Sequence, residues 1–224
     1  MFMRTTLKIL FIVVMPVVAV SINEFARSSE VRKVDYLSAL EEAVVREINL
    51  ARTHPRQYAS FLKELKQYYN GKRIERPGET TVLTKEGVAA VKEAIRFLRS
   101  VDPAPSLSSS KGMSLTAKDH VSEQGPTGAT GHTGTDGSQP ADRVSRYGTW
   151  QETIGENIAY GRSKAREVVM GQIIDDGVPG RGHRDNIFEP DFRVIGVGCG
   201  PHATYETMCV ITFAGGYIER ASVQ

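Results

Sequence analysis

The sequence predicts an α+β fold with helices packed on an antiparallel sheet. Three observations carry that expectation. Apolar residues recur at helical spacing through most of the first two thirds of the chain. Strand-like runs gather near its end, at Arg193–Gly198 and Met208–Phe213. Helical and strand patterns are therefore segregated along the chain rather than alternating, which argues α+β. The composition agrees: 224 residues with 40% hydrophobic, 8% aromatic and 24% charged side chains is ordinary for a globular protein. It excludes wholesale disorder, collagen and a multi-pass membrane protein.

Arg4 and Lys8 precede an uncharged run from Ile9 to Ile22. A basic stub ahead of a short apolar stretch reads as an export signal. The run is shorter than the roughly 20 apolar residues of a spanning helix, and Pro16 interrupts it. Residues 1–21 are therefore expected to be a signal peptide, with an uncleaved anchor as the alternative. Ala19 and Ser21 supply small residues for cleavage after Ser21. No cysteine follows the run, so a lipid-modified amino terminus is not expected. The formal charge is +2, and loss of the segment bearing Arg4 and Lys8 leaves a balanced chain. Such a chain has no electrostatic case for nucleic-acid binding.

Residues 34–220 are expected to form one domain. Ser38 and Glu41 have capping-box spacing, and Leu37, Leu40, Val44, Val45, Ile48 and Ala51 follow at helical spacing. Pro55 marks a boundary, after which Tyr58, Phe61, Leu62 and Leu65 continue the period. Residues 70–86 are polar and rich in turn residues. Val88, Val91, Ile95 and Leu98 predict another helix, ended by Pro103 and Pro105, and Leu107, Met113, Ala117 and Val121 the next. The stretch from 125 to 149 is dense in Gly and Thr and leads into Gly155-Glu156-Asn157. Ser163 is placed to cap a helix containing Ala165, Val168, Val169 and Ile173.

Cys199 and Cys209 lie in the two terminal strand-like runs, separated by a polar tip. A hairpin would set the sulfurs opposite each other, as a disulfide or as two buried thiols. Export favours the disulfide. The sequence has no His-Glu-x-x-His, no paired Cys-x-x-Cys and no EF-hand loop. It also lacks a Gly-x-Ser-x-Gly elbow and a phosphate-binding Gly-x-x-x-x-Gly-Lys loop. Gly196-Val197-Gly198-Cys199-Gly200 precedes a strand, which argues against a dinucleotide site. What remains is a dispersed set, His132, Glu156 and His183, each in a glycine-containing context. Two imidazoles and a carboxylate suit a divalent ion such as zinc, and equally a polar hydrogen-bond cluster. His54 is read as structural or exposed, His120 as flanking the core and His202 as a solvated hairpin residue. Arg184 is read as a surface ion pair with Asp185 or Asp191.

Three blocks, GHTGTDGSQPADRVSRYG, GENIAYG and GHRDNIFEPDFRVIGVGCG, in that order, resemble the CAP superfamily and most closely its bacterial branch. That superfamily groups cysteine-rich secretory, antigen-5-like and pathogenesis-related-1-like proteins, and its domain is also called SCP. Asn49, Arg52, Leu107, Ala117 and His120 also stand where that branch has related residues. The resemblance covers roughly residues 38–66 and 107–218, leaving about 67–106 as an insertion. It implies an α-β-α sandwich with a central cleft in which His132, Glu156 and His183 bind a divalent metal. The nearest match for a fourth member is Asp175, with Asp176 beside it. Gln172 stands where the family usually has a tryptophan, and the segment from Asp176 to Gly182 is longer than usual. A metal there would favour neutral imidazoles and ionised acids, so its affinity should fall at acidic pH.

The resemblance implies a secreted, periplasmic or cell-envelope protein that binds a metal and a small ligand, a lipid or an extracellular partner. Binding rather than catalysis is expected. The alternatives are a metal-dependent peptide or ester hydrolase, with Glu156 as its base, and a non-catalytic structural module.

Overall fold

The computed structural model describes residues 35–221. The proposed signal segment, 1–21, lies outside the described residues. Among them no helix is long and apolar enough to cross a membrane.

Helix α1, Ala39–Thr53, starts at the Ser38 capping box, with the Ser38 hydroxyl taking the Glu41 N–H and Glu41 returning a bond to the Ser38 N–H. Glu41 does more than cap. Its carboxylate also accepts the N–H of Cys199 at 2.9 Å and meets the Lys118 ammonium at 3.2 Å. Pro55 opens α2, Pro55–Lys66, because its missing N–H is harmless in a first turn. After α2 comes a small antiparallel sheet, β1 (Tyr69–Asn70), β2 (Arg73–Ile74) and β3 (Val82–Leu83), followed by α3, Val88–Ser100. Leu107 does not join the next helix. It precedes the short β4, Ser108–Ser109, and its backbone N–H and C=O are both held by the Asn49 amide, at 2.8 and 2.9 Å. Helix α4, Lys111–Thr127, is instead capped by Ser110 and ends at Gly128 in the left-handed region.

Then come α5 (Pro140–Val144), β5 (Gly148–Tyr160), α6 (Ala165–Ile174), α7 (Gly182–Phe188), β6 (Val194–His202) and β7 (Glu206–Glu219). The N-cap of α6 is Lys164 rather than Ser163, and no side chain caps it. The main sheet has the order β4-β6-β7-β5, antiparallel except for the β4–β6 pair. Among the described residues, β5 is an edge strand.

Period-two alternation makes the sandwich. Odd-numbered strand residues, Ala159, Ile195, Val197, Ile211 and Phe213, face the layer built by α1, α2, α3, α6 and α7. Even-numbered residues, Ile158, Met208 and Val210, face Ala117 and Val121 of α4. Each fully buried Leu, Ile or Val in these layers contributes about 1.5–3 kcal/mol. The sheet therefore carries helices on both faces, the α-β-α sandwich expected.

Arg52 ties the first helix to the last. It is fully buried, and its guanidinium donates to the carbonyls of Pro105, Ile187, Glu189 and Phe192. Cys199 and Cys209 are opposed in the β6–β7 register and form a disulfide. The bond closes a loop of sequence separation 10. Replacing both cysteines with Ala is expected to lower the unfolding free energy by about 2–3 kcal/mol through the freed chain entropy. Urea midpoints of the oxidised parent and the double variant test this, and equal midpoints would refute it.

Candidate functional site

The edge strand β5 is the axis of the site. Glu156 and Asn157 are consecutive on it and so point to opposite faces of the sheet.

On the α4 face, Glu156 is buried beside Arg143 of α5. One guanidinium nitrogen of Arg143, Nη2, lies 3.0 and 2.8 Å from the two carboxylate oxygens, and Nη1 donates to the Ser138 carbonyl at 2.9 Å. The Arg143 side chain is 0% exposed and that of Glu156 1%. His132 reaches the same carboxylate from outside, with Nδ1 2.9 Å from Oε1 and its side chain 47% exposed. The loop carrying His132 is pinned at Gly131. The Gly131 carbonyl faces His120 Nε2 at 3.0 Å and accepts from Gln124 at 2.8 Å, while its N–H donates to the Tyr160 hydroxyl at 3.0 Å. His120 is therefore a fully buried support of this loop, its Nδ1 2.8 Å from Glu123.

On the α6 face, Asp175 ends α6 in the left-handed region, at φ 52°, and is buried. One of its oxygens accepts the backbone N–H of His183 at 2.9 Å, and the other lies 2.7 Å from His183 Nδ1. The αL backbone turns the carboxylate back toward the start of α7. The neighbouring Asp176 faces elsewhere. It accepts the backbone N–H groups of Lys85 and Glu86, at 2.5 and 2.8 Å. The segment between α6 and His183 is clamped from the β3–α3 connection too. Arg181 meets Glu86 at 2.6 and 2.7 Å, and the Gly177 N–H adds a bond of 2.6 Å. Those partners hold the Glu86 carboxyl down at about 2, the Arg181 guanidinium first. Asn157 joins the layers by donating to Gln172 Oε1 at 3.0 Å and to the His183 carbonyl at 2.8 Å.

The structure thus brings His132 to Glu156 and His183 to Asp175, as two pairs flanking β5. Among the described residues, no three of His, Cys, Asp and Glu are grouped so that they could hold an ion alone. In each pair a neutral imidazole that donates Nδ1–H to its carboxylate keeps the Nε2 lone pair available. Carboxylate-held imidazoles of this kind suit a divalent ion. Both oxygens of Glu156 accept from Arg143, and Oε1 also lies 2.9 Å from His132 Nδ1.

Two further sequence expectations change. His202 is buried rather than solvated, because Nε2 faces the Ala129 carbonyl at 2.8 Å and Nδ1 takes the N–H groups of Thr204 and Tyr205. Arg184 is buried as well, bonded to Glu93 and the Ile173 carbonyl rather than to Asp185 or Asp191. Arg143 was missed as a site residue. Its sequence signal is a cation inside the His132 block, ahead of Glu156, shared with the nearby Arg146.

Part of the chain is 29% identical over 107 residues to the uncharacterized protein YkwD of Bacillus subtilis (strain 168). That alignment covers 48% of this chain and 36% of YkwD, so the chain spans about a third of that relative. Two solved structures are similar. An outer surface protein from Borrelia burgdorferi is 19% identical with TM-score 0.41, over 51% of this chain and 78% of that one. An extracellular protein containing an SCP domain, from Bacillus anthracis str. Ames, is 21% identical with TM-score 0.41, over 55% of this chain and 38% of that one. Residues 92–213, from within α3 to β7, match the model of the cysteine-rich secretory protein family, CAP. With more than half of its residues inside that match, and with the sandwich it forms, the chain belongs to the CAP family.

Proposed function

We propose that this is an exported, non-catalytic CAP-domain binding protein whose two His–carboxylate pairs take a divalent cation such as zinc. The observation that carries this reading is the shared form of the pairs. Each imidazole is held through Nδ1 by a buried carboxylate, with no partner at Nε2 among the described residues. His132 and His183 would supply the ligand nitrogens, and Glu156 and Asp175 would fix their tautomers. Water would complete an open coordination shell. The ion would supply a positive centre for a ligand's oxygen atoms. The Cys199–Cys209 bridge supports an oxidising compartment, outside the cytoplasm or in the cell envelope.

The test is zinc binding by calorimetry on protein first stripped with a chelator. The parent is expected to bind zinc, and the His132→Ala/His183→Ala variant to lose at least tenfold in affinity while keeping its far-UV spectrum. Equal zinc affinity in the folded variant would end the proposal.

A further inference from the structure

A cavity of about 600 Å³ opens beside the outer edge of β5. Leu65 of α2, Ile74 and Val82 of the small sheet, and Met170 and Ile174 of α6 give it apolar walls. The acids that line it are all engaged. Glu79 and Glu167 pair with Arg76, Asp175 with His183, and Asp176 with two backbone N–H groups.

Arg162 is different. Among the described residues, its guanidinium makes no hydrogen bond and no ion pair. It lies over α6 at Gly171, where a Cβ would stand 2.7 Å from its Cζ and Nε. Glycine at 171 thus provides its seat. Burial lowers its pKa from the ordinary arginine value, with Glu167, Tyr69 and Asp176 opposing that, and arginine stays charged regardless. A second donor is also idle. Gln172 lines the cavity and is buried, its Oε1 accepts from Asn157, and its Nε2 has no partner among the described residues. A buried donor without an acceptor is costly, so an incoming acceptor is favoured.

The strand edge supplies the third element. The Gly161 N–H donates to the Thr207 carbonyl of β7 at 2.9 Å. Antiparallel pairing alternates, so the N–H and C=O of Ile158 and Tyr160 point away from β7, toward the open edge. Both residues line the cavity.

We propose that the cavity binds the carboxyl-terminal end of an extended peptide. The peptide adds as a strand to β5 at Ile158 and Tyr160, running parallel to it, and its α-carboxylate meets Arg162 beside Gln172. Its apolar side chains lie against α6 and the small sheet. This combines strand addition with carboxylate capture, two established modes of peptide recognition. A fatty acid would satisfy Arg162 and the apolar walls but leave the strand edge unpaired. The inference rests on the binding reading above and names its ligand, and it does not require the metal.

The test uses two pools of acetylated pentapeptides of random apolar sequence, one with free carboxylates and one amidated, with the protein bearing its disulfide. Saturation-transfer NMR is expected to show the free-acid pool binding at least tenfold more tightly than the amidated pool. Arg162→Gln should remove that difference while leaving zinc affinity and the far-UV spectrum as in the parent. Equal binding of acid and amide by the unaltered protein, or binding of neither, would overturn the proposal. So would binding of dodecanoate with neither peptide pool bound, which marks a fatty-acid site instead. Zinc affinity measured on the same samples separates failure here from failure of the metal reading.

Discussion

Arg143→Met is expected to destabilise the fold by roughly 3–5 kcal/mol, because it strands a buried carboxylate. The Glu156 side chain is 1% exposed, and both of its oxygens face Arg143 Nη2. With the guanidinium gone, only the more exposed His132 among the described residues still reaches that carboxylate. The Ser138 carbonyl also loses one of its two donors and keeps only the Gly134 N–H, which loosens the loop that carries His132. Removing both charges is different in kind. Replacing a whole buried pair by uncharged groups is often close to neutral, so Arg143→Met/Glu156→Gln should recover more than half of the loss. Arg143 Nε already has no partner in this pocket among the described residues, so the pair is not ideally satisfied to begin with. Urea unfolding distinguishes these outcomes through the midpoint at constant slope. A single variant within about 1 kcal/mol of the parent, or a double variant worse than the single, would refute the argument.

Much of this site could be read from residue order. The helical face of α1 and its capping box were legible because propensity, spacing and cap all agree there. His132, Glu156 and His183 were legible as chemistry-bearing residues in glycine-containing contexts. Which acid pairs with which imidazole was not. The segregation of Asp175 from Asp176 depends on the left-handed backbone at 175, which turns one carboxylate to α7 and leaves the next for the β3–α3 connection. Nothing in the pattern of two adjacent aspartates announces that turn. His202 and Arg184 were misread for a related reason. Position in a hairpin or beside acids suggests exposure, whereas long-range partners, Ala129 and Glu93, bury them. Leu107 has the helical period of Met113 and Ala117, but the Asn49 amide holds its backbone straight into β4. Tertiary hydrogen bonds overrode the local signal in each case.

The glycines of β6 give the second large effect. Gly196→Ala is expected to cost about 3 kcal/mol or more, seen as a fall of roughly 6–12 °C in Tm. A Cβ at 196 would stand 2.2 Å from the Met113 carbonyl carbon and 2.5 Å from both the Met113 oxygen and the Ser114 nitrogen. These are backbone atoms of α4, so no rotamer change relieves the clash. The helix must move as a body away from the sheet. That movement would also pull on bonds spanning the gap, from Thr212 Oγ1 to the Met113 carbonyl and from the Val197 N–H to Ser114 Oγ. The glycine-rich run that could suggest a phosphate loop is thus a close-packing surface for a helix. Its effect reaches the site, since α4 carries His120 and Gln124, which pin Gly131 next to His132. Gly182→Ala is the matched control. Its backbone is right-handed helical at φ −58°, and nothing lies within 4 Å of a Cβ there. It should leave stability within about 0.5 kcal/mol of the parent. If the two alanines had equal effects, close approach would not be the reason that glycine occupies position 196.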